Sequence, residues 1–161
     1  GQIMLAPKVE ARILQELKVT KSDKILEVGS GSGYMTALLA EKGNHVYSVE
    51  ILPELKSLAE KNLKGYNIQN VTLEQGDAAQ GWTKHAPYDV IALTGSTPVL
   101  PEVFKQSLNI GGRLFAIVGE DPVMEALLIT RTGLTEFTTR NLFETSITPL
   151  MNAQQPEKFL F

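Results

Sequence analysis

The sequence contains no cysteine, only two histidines and no apolar run long enough to span a lipid bilayer. The lack of cysteine excludes disulfides, thiolate nucleophiles and cysteine-ligated metals within these 161 residues. Because the histidines, His45 and His85, are isolated from each other, we expect no zinc or other metal site. No secretory signal is visible either, and a cytoplasmic location is therefore the expectation.

Charge and size narrow the class of protein further. With 15 basic and 18 acidic residues, the net charge of −3 gives no broad attraction to nucleic acid or to an anionic membrane surface. We expect neither as a partner. The apolar and charged fractions, 43% and 20%, are ordinary for a globular protein. A chain of 161 residues is expected to form one domain with a real core.

The most informative pattern is a strand, a glycine-rich turn and a helix. Ile25, Leu26 and Val28 are apolar and partly β-branched, so they suit a strand buried on both faces, and the stretch from Tyr34 to Lys42 has good helix formers with no glycine or proline. Glycine alternates with serine between them, at Gly29, Gly31 and Gly33. Glycine lets the backbone turn tightly and approach a ligand closely, and the free N–H groups at a helix start favour a negatively charged ligand group. This order is typical of the opening of a nucleotide-binding βαβ unit.

Glu50 adds the second half of this signal. It ends the next apolar strand, and a carboxylate about 20 residues past a glycine turn can hydrogen-bond both hydroxyls of a ribose. The dinucleotide fingerprint G-x-G-x-x-G does not fit, because its last glycine would fall on Tyr34 or Thr36. The sequence has G-x-G-x-G preceded by Glu27 instead, which resembles the first motif of S-adenosylmethionine-dependent methyltransferases. A glycine turn that serves packing alone is the alternative.

The rest of the chain alternates between predicted helices and strands. Further helices are expected from Pro7 to Leu17, from Pro53 to about Lys64 and from Pro98 to Leu108. Further strands are expected at His45–Glu50, Val71–Glu74, Tyr88–Thr94, Arg113–Val118, Met124–Thr130 and Thr135–Phe143, the last two as an antiparallel pair. The pattern predicts an α/β fold with a Rossmann-like, doubly wound and mostly parallel sheet that ends in a C-terminal antiparallel strand pair.

Several motifs together resemble one family, the protein-L-isoaspartate (D-aspartate) O-methyltransferases, which are class I S-adenosylmethionine-dependent methyltransferases. The matching stretches are Gln2 with Ala6-Pro7, Leu26 to Tyr34, Ser48 to Glu50, Gly76-Asp77, Ala86 to Asp89 and Gly111 to Leu114. The resemblance covers nearly the whole chain. It implies the class I methyltransferase fold and one domain over residues 1–161, lacking an N-terminal segment that family members carry.

The resemblance also assigns a cofactor site for S-adenosyl-L-methionine. Glu50 would hold the ribose and Asp77, beside Ala78, the adenine, while Glu27 would support the turn. The methionine part would lie in the turn itself, formed by Gly29, Ser30, Gly31, Ser32 and Gly33. For Glu27 the alternative is a strand-end acid that caps the glycine turn, and for Asp77 a turn former after a strand.

The acceptor half of the family site departs from the pattern at Leu5. The family has a serine there, two residues before the proline and beside the transferred methyl group. Leucine cannot hydrogen-bond or orient a carboxylate. Ile3 and Met4 would lie over the methyl group with Leu5, although core packing is the alternative for apolar residues. Ser96 and Thr97 follow the fourth strand and are candidates for acceptor contact or for turn formation.

Methyl transfer from this cofactor is a direct displacement, so positioning is its main demand. A carboxylate acceptor is ionised at neutral pH and needs no base, whereas an amine or alcohol normally needs one. The expected acceptor segments present no obvious base. The absence of a base favours carboxyl O-methylation or an acceptor that brings its own charge. The family resemblance implies an enzyme of the isoaspartate-repair type, acting on an isoaspartyl carboxylate in a protein or peptide. The alternatives that Leu5 leaves open are a family member with another acceptor and a non-catalytic cofactor-binding module.

Overall fold

The structure is a computed structural model that describes residues 5–157. A mixed sheet of seven strands lies at its centre. The elements follow one another as α1 (Pro7–Leu17), β1 (Lys24–Val28), α2 (Tyr34–Lys42), β2 (His45–Glu50), α3 (Pro53–Gly65), β3 (Val71–Gln75), a 3₁₀ turn (Thr83–His85), β4 (Tyr88–Thr97), α4 (Glu102–Gln106), β5 (Leu108–Glu120), β6 (Val123–Arg131) and β7 (Phe137–Thr145). None of these helices is long and apolar enough to cross a membrane.

The strand order across the sheet is β3-β2-β1-β4-β5-β6-β7. The first five strands of the chain pair in parallel, with β1 between β2 and β4. The strand β6 is antiparallel to both β5 and β7. The predicted doubly wound, mostly parallel sheet with a C-terminal antiparallel pair is thereby confirmed.

Alternate residues of the central strands enter two separate cores, as the pleat of a sheet requires. Ile25 of β1 packs in the core that contains Ile13 of α1 and Leu39 of α2. Its neighbour Leu26 packs in the other core, with Phe104 of α4. Because side chains alternate along a strand, Glu27 points to the same side as Ile25, towards α1 and α2. The Glu27 carboxylate is therefore buried on the α1 and α2 side of the sheet, near the end of β1.

The helix predicted from Pro98 to Leu108 is wrong in extent. Only Glu102–Gln106 is helical, and Pro101 before it is extended, with φ −60° and ψ 132°. A proline also restricts the residue before it to extended conformations, so Leu100 resists a helix. The preceding strand, β4, continues to Thr97 instead of ending at Thr94, and β5 begins at Leu108.

The chain after β7 returns to the carboxyl end of β4. Ser96 forms an isolated parallel bridge with Pro149. The amide of Ser96 donates to the Thr148 carbonyl at 3.2 Å, and the Leu150 amide donates to the Ser96 carbonyl at 2.8 Å. This returning segment, residues 147–153, lies at the edge of the sheet where the parallel strands end.

Candidate functional site

A cavity of about 300 Å³ lies at the carboxyl edge of the parallel strands. Its walls come from the ends of the strands, the glycine turn after β1, α3 and the returning segment. Open α/β sheets bind ligands at this edge. The lining residues include Leu5, Glu10, Gly29, Ser30, Gly31, Ser32, Glu50, Asp77, Ala78, Thr94, Ile147 and Met151.

The glycine turn is shaped by β4 as well as by its own sequence. Gly29 has a φ of +95°, and a Cβ there would overlap the Thr94 hydroxyl oxygen. That hydroxyl lies 2.8 Å from the carbonyl oxygens of both Val28 and Gly29. Gly33 allows close packing against α3, since a Cβ on it would lie 3.3 Å from Ala59. Gly33 therefore serves helix packing, and Gly29 keeps the turn open beside the cavity.

Glu50 joins the end of β2 to this turn. Its Oε1 accepts from the Gly31 amide at 2.9 Å, and its Oε2 accepts from the Leu52 amide at 3.1 Å. The side chain is buried yet lines the cavity. Each carboxylate oxygen can accept a second hydrogen bond. Glu50 is thus held in place by the backbone and still has acceptor positions for the two hydroxyls of a ribose.

Glu27 lies beneath the turn, outside the residues that line the cavity. Its Oε1 accepts from the Ser48 hydroxyl at 2.6 Å and from the Thr36 hydroxyl, whereas its Oε2 has no partner within residues 5–157. Burial raises the pKa of Glu27 to about 7, and the carboxylates of Glu10 and Glu50 add to the rise. The Glu27 carboxylate thus binds β2 through Ser48 and α2 through Thr36, and its role in supporting the turn or contacting a cofactor stays a prediction.

Asp77 is both a turn former and a cavity residue. Its Oδ1 accepts from the Ala79 amide at 3.0 Å, and its Oδ2 accepts from the Asn152 side chain at 2.9 Å. Ala78 beside it is buried and lines the same wall. The hydrogen bond from Asn152 ties the returning segment to this wall. The predicted contact between Asp77 and adenine stays a prediction.

The charges around the cavity are all of one sign. Three carboxylates, from Glu10, Glu50 and Asp77, line it, and no lysine, arginine or histidine of residues 5–157 does so. A low-dielectric cavity walled by carboxylates favours a ligand that carries positive charge. The cavity therefore combines the Glu50 carboxylate, which has acceptor positions for ribose hydroxyls, with a preference for a positively charged ligand.

The model of one family, "Protein-L-isoaspartate(D-aspartate) O-methyltransferase (PCMT)", matches residues 1–155. The chain belongs to this family. The chain is 36% identical to the protein-L-isoaspartate O-methyltransferase of Protochlamydia amoebophila over 96% of its own length and 74% of that protein. It is 37% identical to the Gloeobacter violaceus protein of the same name, covering 98% of this chain and 77% of that one.

A solved structure shows the same fold at lower identity. It is that of a Plasmodium falciparum protein described as a protein-L-isoaspartate O-methyltransferase, in complex with S-adenosyl-L-homocysteine. The TM-score is 0.82 and the identity 24%, over 93% of this chain and 76% of that one. The family and the fold named by the sequence motifs are both confirmed.

The acceptor side of this family member is only partly brought together. Leu5, at the family's serine position, is half-buried and lines the cavity, whereas Ile3 and Met4 lie outside the described residues. Ser96 and Thr97 are buried and do not line the cavity. Their hydroxyls donate to backbone carbonyls, of Ile147 at 3.2 Å and of Val99 at 2.6 Å. Ser96 thus joins β4 to the returning segment, Thr97 stabilises the local turn, and the contact of either with an acceptor stays a prediction.

Sequence reasoning missed three contributors to the cavity. Thr94 and the returning segment gain their positions from contacts between distant parts of the chain, and no local pattern marks them. Glu10 did leave a signal. It precedes Ile13 by three residues and Leu17 by seven, which places an acid on the buried face of α1. Acidic residues are rarely buried, so an acid on the apolar face of an amphipathic helix indicates a candidate functional residue.

Proposed function

We propose that this chain is an S-adenosylmethionine-dependent O-methyltransferase that esterifies isoaspartyl carboxylates in proteins. The observation that carries the proposal is the bond between Glu50 and the Gly31 amide inside a cavity walled by carboxylates. It joins a ribose-binding group, a glycine turn and a negative field in one cavity. Membership of the family supports both the reaction and the acceptor class.

The residues present fit this cofactor. Two buried oxygens of the cavity lining, the Ser30 hydroxyl and Oε2 of Glu10, have no hydrogen-bond partner within residues 5–157. Each can accept a hydrogen bond from a ligand. Glu50 retains acceptor positions for ribose hydroxyls. The turn at Gly31 has open space around the position of a Cβ, with no atom within 4 Å. The glycine turn would hold the amino-acid part, Glu50 the ribose and Asp77 with Ala78 the adenine.

When bound, S-adenosylmethionine supplies an electrophilic methyl group on a positively charged sulfur. The chain's own task is then to bind both reactants, hold them in line and keep water out, because positioning carries most of the rate in such a displacement. Leu5 gives this cavity an apolar wall. An isoaspartyl carboxylate is ionised at neutral pH, so the reaction needs no proton transfer to a side chain. A cytoplasmic location stays a prediction, tested by cell fractionation.

The experiment is methyl transfer from labelled S-adenosylmethionine to an isoaspartyl peptide, beside its normal aspartyl twin. We expect label in the isoaspartyl peptide only, as a base-labile ester, with S-adenosyl-L-homocysteine binding measured in the same sample. Cofactor binding without transfer to either peptide would contradict the acceptor class and favour another acceptor or a non-catalytic module. No cofactor binding would contradict the proposal as a whole.

A further inference from the structure

Glu10 is a buried carboxylate for which the described residues, 5–157, provide no hydrogen-bond or ion-pair partner. It lies in the first turn of α1, its residue surface is only 3% exposed, and its Oε2 receives no hydrogen bond from residues 5–157. Burial raises the pKa of Glu10, because a buried carboxylate loses contact with water. An uncompensated buried carboxylate lowers the stability of a fold. A ligand that brings the missing donors would remove this penalty.

Glu10 shares the lining of the cavity with the glycine turn. It lines the same cavity as Ser30, whose hydroxyl is also buried and has no partner in the described chain. Its charge also raises the pKa of Glu27, the acid two residues before Gly29 of the turn. Glu10 and Ser30 therefore provide two unfilled acceptor positions near the place where the amino-acid part of the cofactor would lie.

The other carboxylates of the cavity are already hydrogen-bonded. Glu50 accepts from two backbone amides, and Asp77 accepts from a backbone amide and from the side chain of Asn152. Glu10 differs from them in having neither a donor on its Oε2 nor a cation nearby among the lining residues that the structure describes. A ligand ammonium group, with three N–H donors and a full positive charge, answers both needs.

We infer that Glu10 binds the ammonium group of the cofactor's amino-acid end, with the Ser30 hydroxyl as a second acceptor. This inference rests on the proposed function, since it names a further residue of the same site. The ammonium is common to S-adenosylmethionine and S-adenosyl-L-homocysteine, whereas 5′-methylthioadenosine has the same adenosine but neither the amino-acid end nor a sulfonium. These three ligands therefore separate the ammonium from the rest of the molecule.

The test is equilibrium binding of the three ligands to the wild-type chain and to Glu10→Gln, measured by calorimetry. Glutamine keeps the size and shape of the side chain and removes its charge. We expect binding of S-adenosylmethionine and of S-adenosyl-L-homocysteine to weaken by about 10- to 100-fold, because a charge-assisted hydrogen bond is lost. Binding of 5′-methylthioadenosine should stay within about twofold of the wild type.

A second readout separates this role from a structural one. The ligand-free Glu10→Gln variant should unfold at an equal or higher temperature than the wild type, because an unpaired buried charge has been removed. Glu16→Gln is the matched control, since Glu16 lies on the same helix but pairs with the exposed Arg12. We expect that control to leave the affinity for all three ligands unchanged.

Each other outcome overturns the inference in its own way. Unchanged affinity for all three ligands would show that Glu10 does not contact the cofactor. Equal losses for all three, or a lower unfolding temperature, would show that Glu10 acts through the fold. A loss for S-adenosylmethionine alone would place Glu10 on the sulfonium instead of the ammonium. Failure of the wild-type chain to bind any of the three would contradict the proposed function itself.

Discussion

Glu50 and Gly31 are joined by a 2.9 Å hydrogen bond from the Gly31 amide to the Glu50 carboxylate. This hydrogen bond joins the end of β2 to the turn after β1. The strands β1 and β2 are parallel neighbours in the sheet. The group that would bind ribose therefore also fixes the shape of the turn that would bind the amino-acid part. Binding of the two halves of the cofactor is thus expected to depend on one side chain.

Replacing Glu50 tests this dependence. Glu50→Ala should weaken S-adenosyl-L-homocysteine binding by well over about tenfold, because buried hydrogen bonds to both the ligand and the turn are lost. Glu50→Gln keeps one acceptor oxygen for the turn and should lose less. Calorimetric titration of both variants, with thermal unfolding as the check on folding, measures the difference. Unchanged affinity in Glu50→Ala would rule out the ribose role.

Leu5 is the residue to change for the acceptor side. Leu5→Ser should raise methyl transfer to an isoaspartyl peptide, because a hydroxyl can orient a carboxylate and leucine cannot. Leu5→Ala is the matched control, since it removes the same bulk without adding a hydroxyl. Initial rates at saturating cofactor compare the three proteins. Absence of a gain in Leu5→Ser, or the same gain in Leu5→Ala, would show that the missing hydroxyl is not the decisive departure.

The protonation of Glu27 should make stability fall as pH rises. Burial raises the pKa of Glu27 from 4.5 to about 7 in the folded state. The folded chain therefore binds this proton more tightly than the unfolded chain does, so the stabilisation is complete below about pH 4.5 and is lost as pH rises through 7. Glu27→Gln cannot titrate and should remove a slope of up to about 1.4 kcal/mol per pH unit.

Denaturant unfolding of the cofactor-free proteins between pH 5 and 8, a window set by that raised pKa, measures the slope of the unfolding free energy. Glu41→Gln is the control, because Glu41 is an exposed acid on α2. That variant should keep the wild-type profile. Parallel profiles for the wild type and Glu27→Gln would mean that Glu27 is ionised throughout this range.

Arg113 stabilises the opposite end of the sheet. Its guanidinium pairs with the buried Asp23 at 2.8 Å and donates to the carbonyls of Leu17 and Lys18 at the end of α1. Arg113→Ala should lower the free energy of unfolding by about 3 kcal/mol, because a buried carboxylate loses its counter-charge. Lys56→Ala, which breaks the helical pair of Lys56 with Glu60, should cost within about 0.5 kcal/mol.

Chemical denaturation gives both values, and S-adenosyl-L-homocysteine affinity should be unchanged in both variants. A loss of affinity in a folded Arg113→Ala variant would show coupling between the two ends of the sheet. Equal stability losses in the two variants would contradict the buried pair as the larger contribution.

The first half of the fold was predictable because its signals are local. The strand predicted at Ile25, Leu26 and Val28 lies within β1, and the bounds predicted for α2 agree with the structure, since glycine follows each element at Gly29 and Gly43. The helix predicted from Pro98 to Leu108 was too long because Pro101 is extended. The predicted end of β4 at Thr94 was wrong because the strand continues to Thr97 and pairs with the returning segment at Ser96. That contact joins distant parts of the chain, and a reading of local periodicity has no access to it.

The site residues also differ in whether local sequence or long-range contacts place them at the cavity. Glu50 was found because its distance from the glycine turn is fixed by one βαβ unit. Asn152, which donates to Asp77, was missed because only the returning segment brings it there. Glu10 lies between these cases, since its position on the inner face of α1 is readable from periodicity but its lack of a partner is visible only in three dimensions.

The most direct measurement is the crystal structure of the chain with S-adenosyl-L-homocysteine. We predict that both ribose hydroxyls bind the Glu50 carboxylate, with the amino-acid end in the turn at Gly31. The sulfur should lie in the cavity that Leu5 lines. Density for the ligand outside this cavity, or a ribose that does not touch Glu50, would contradict it.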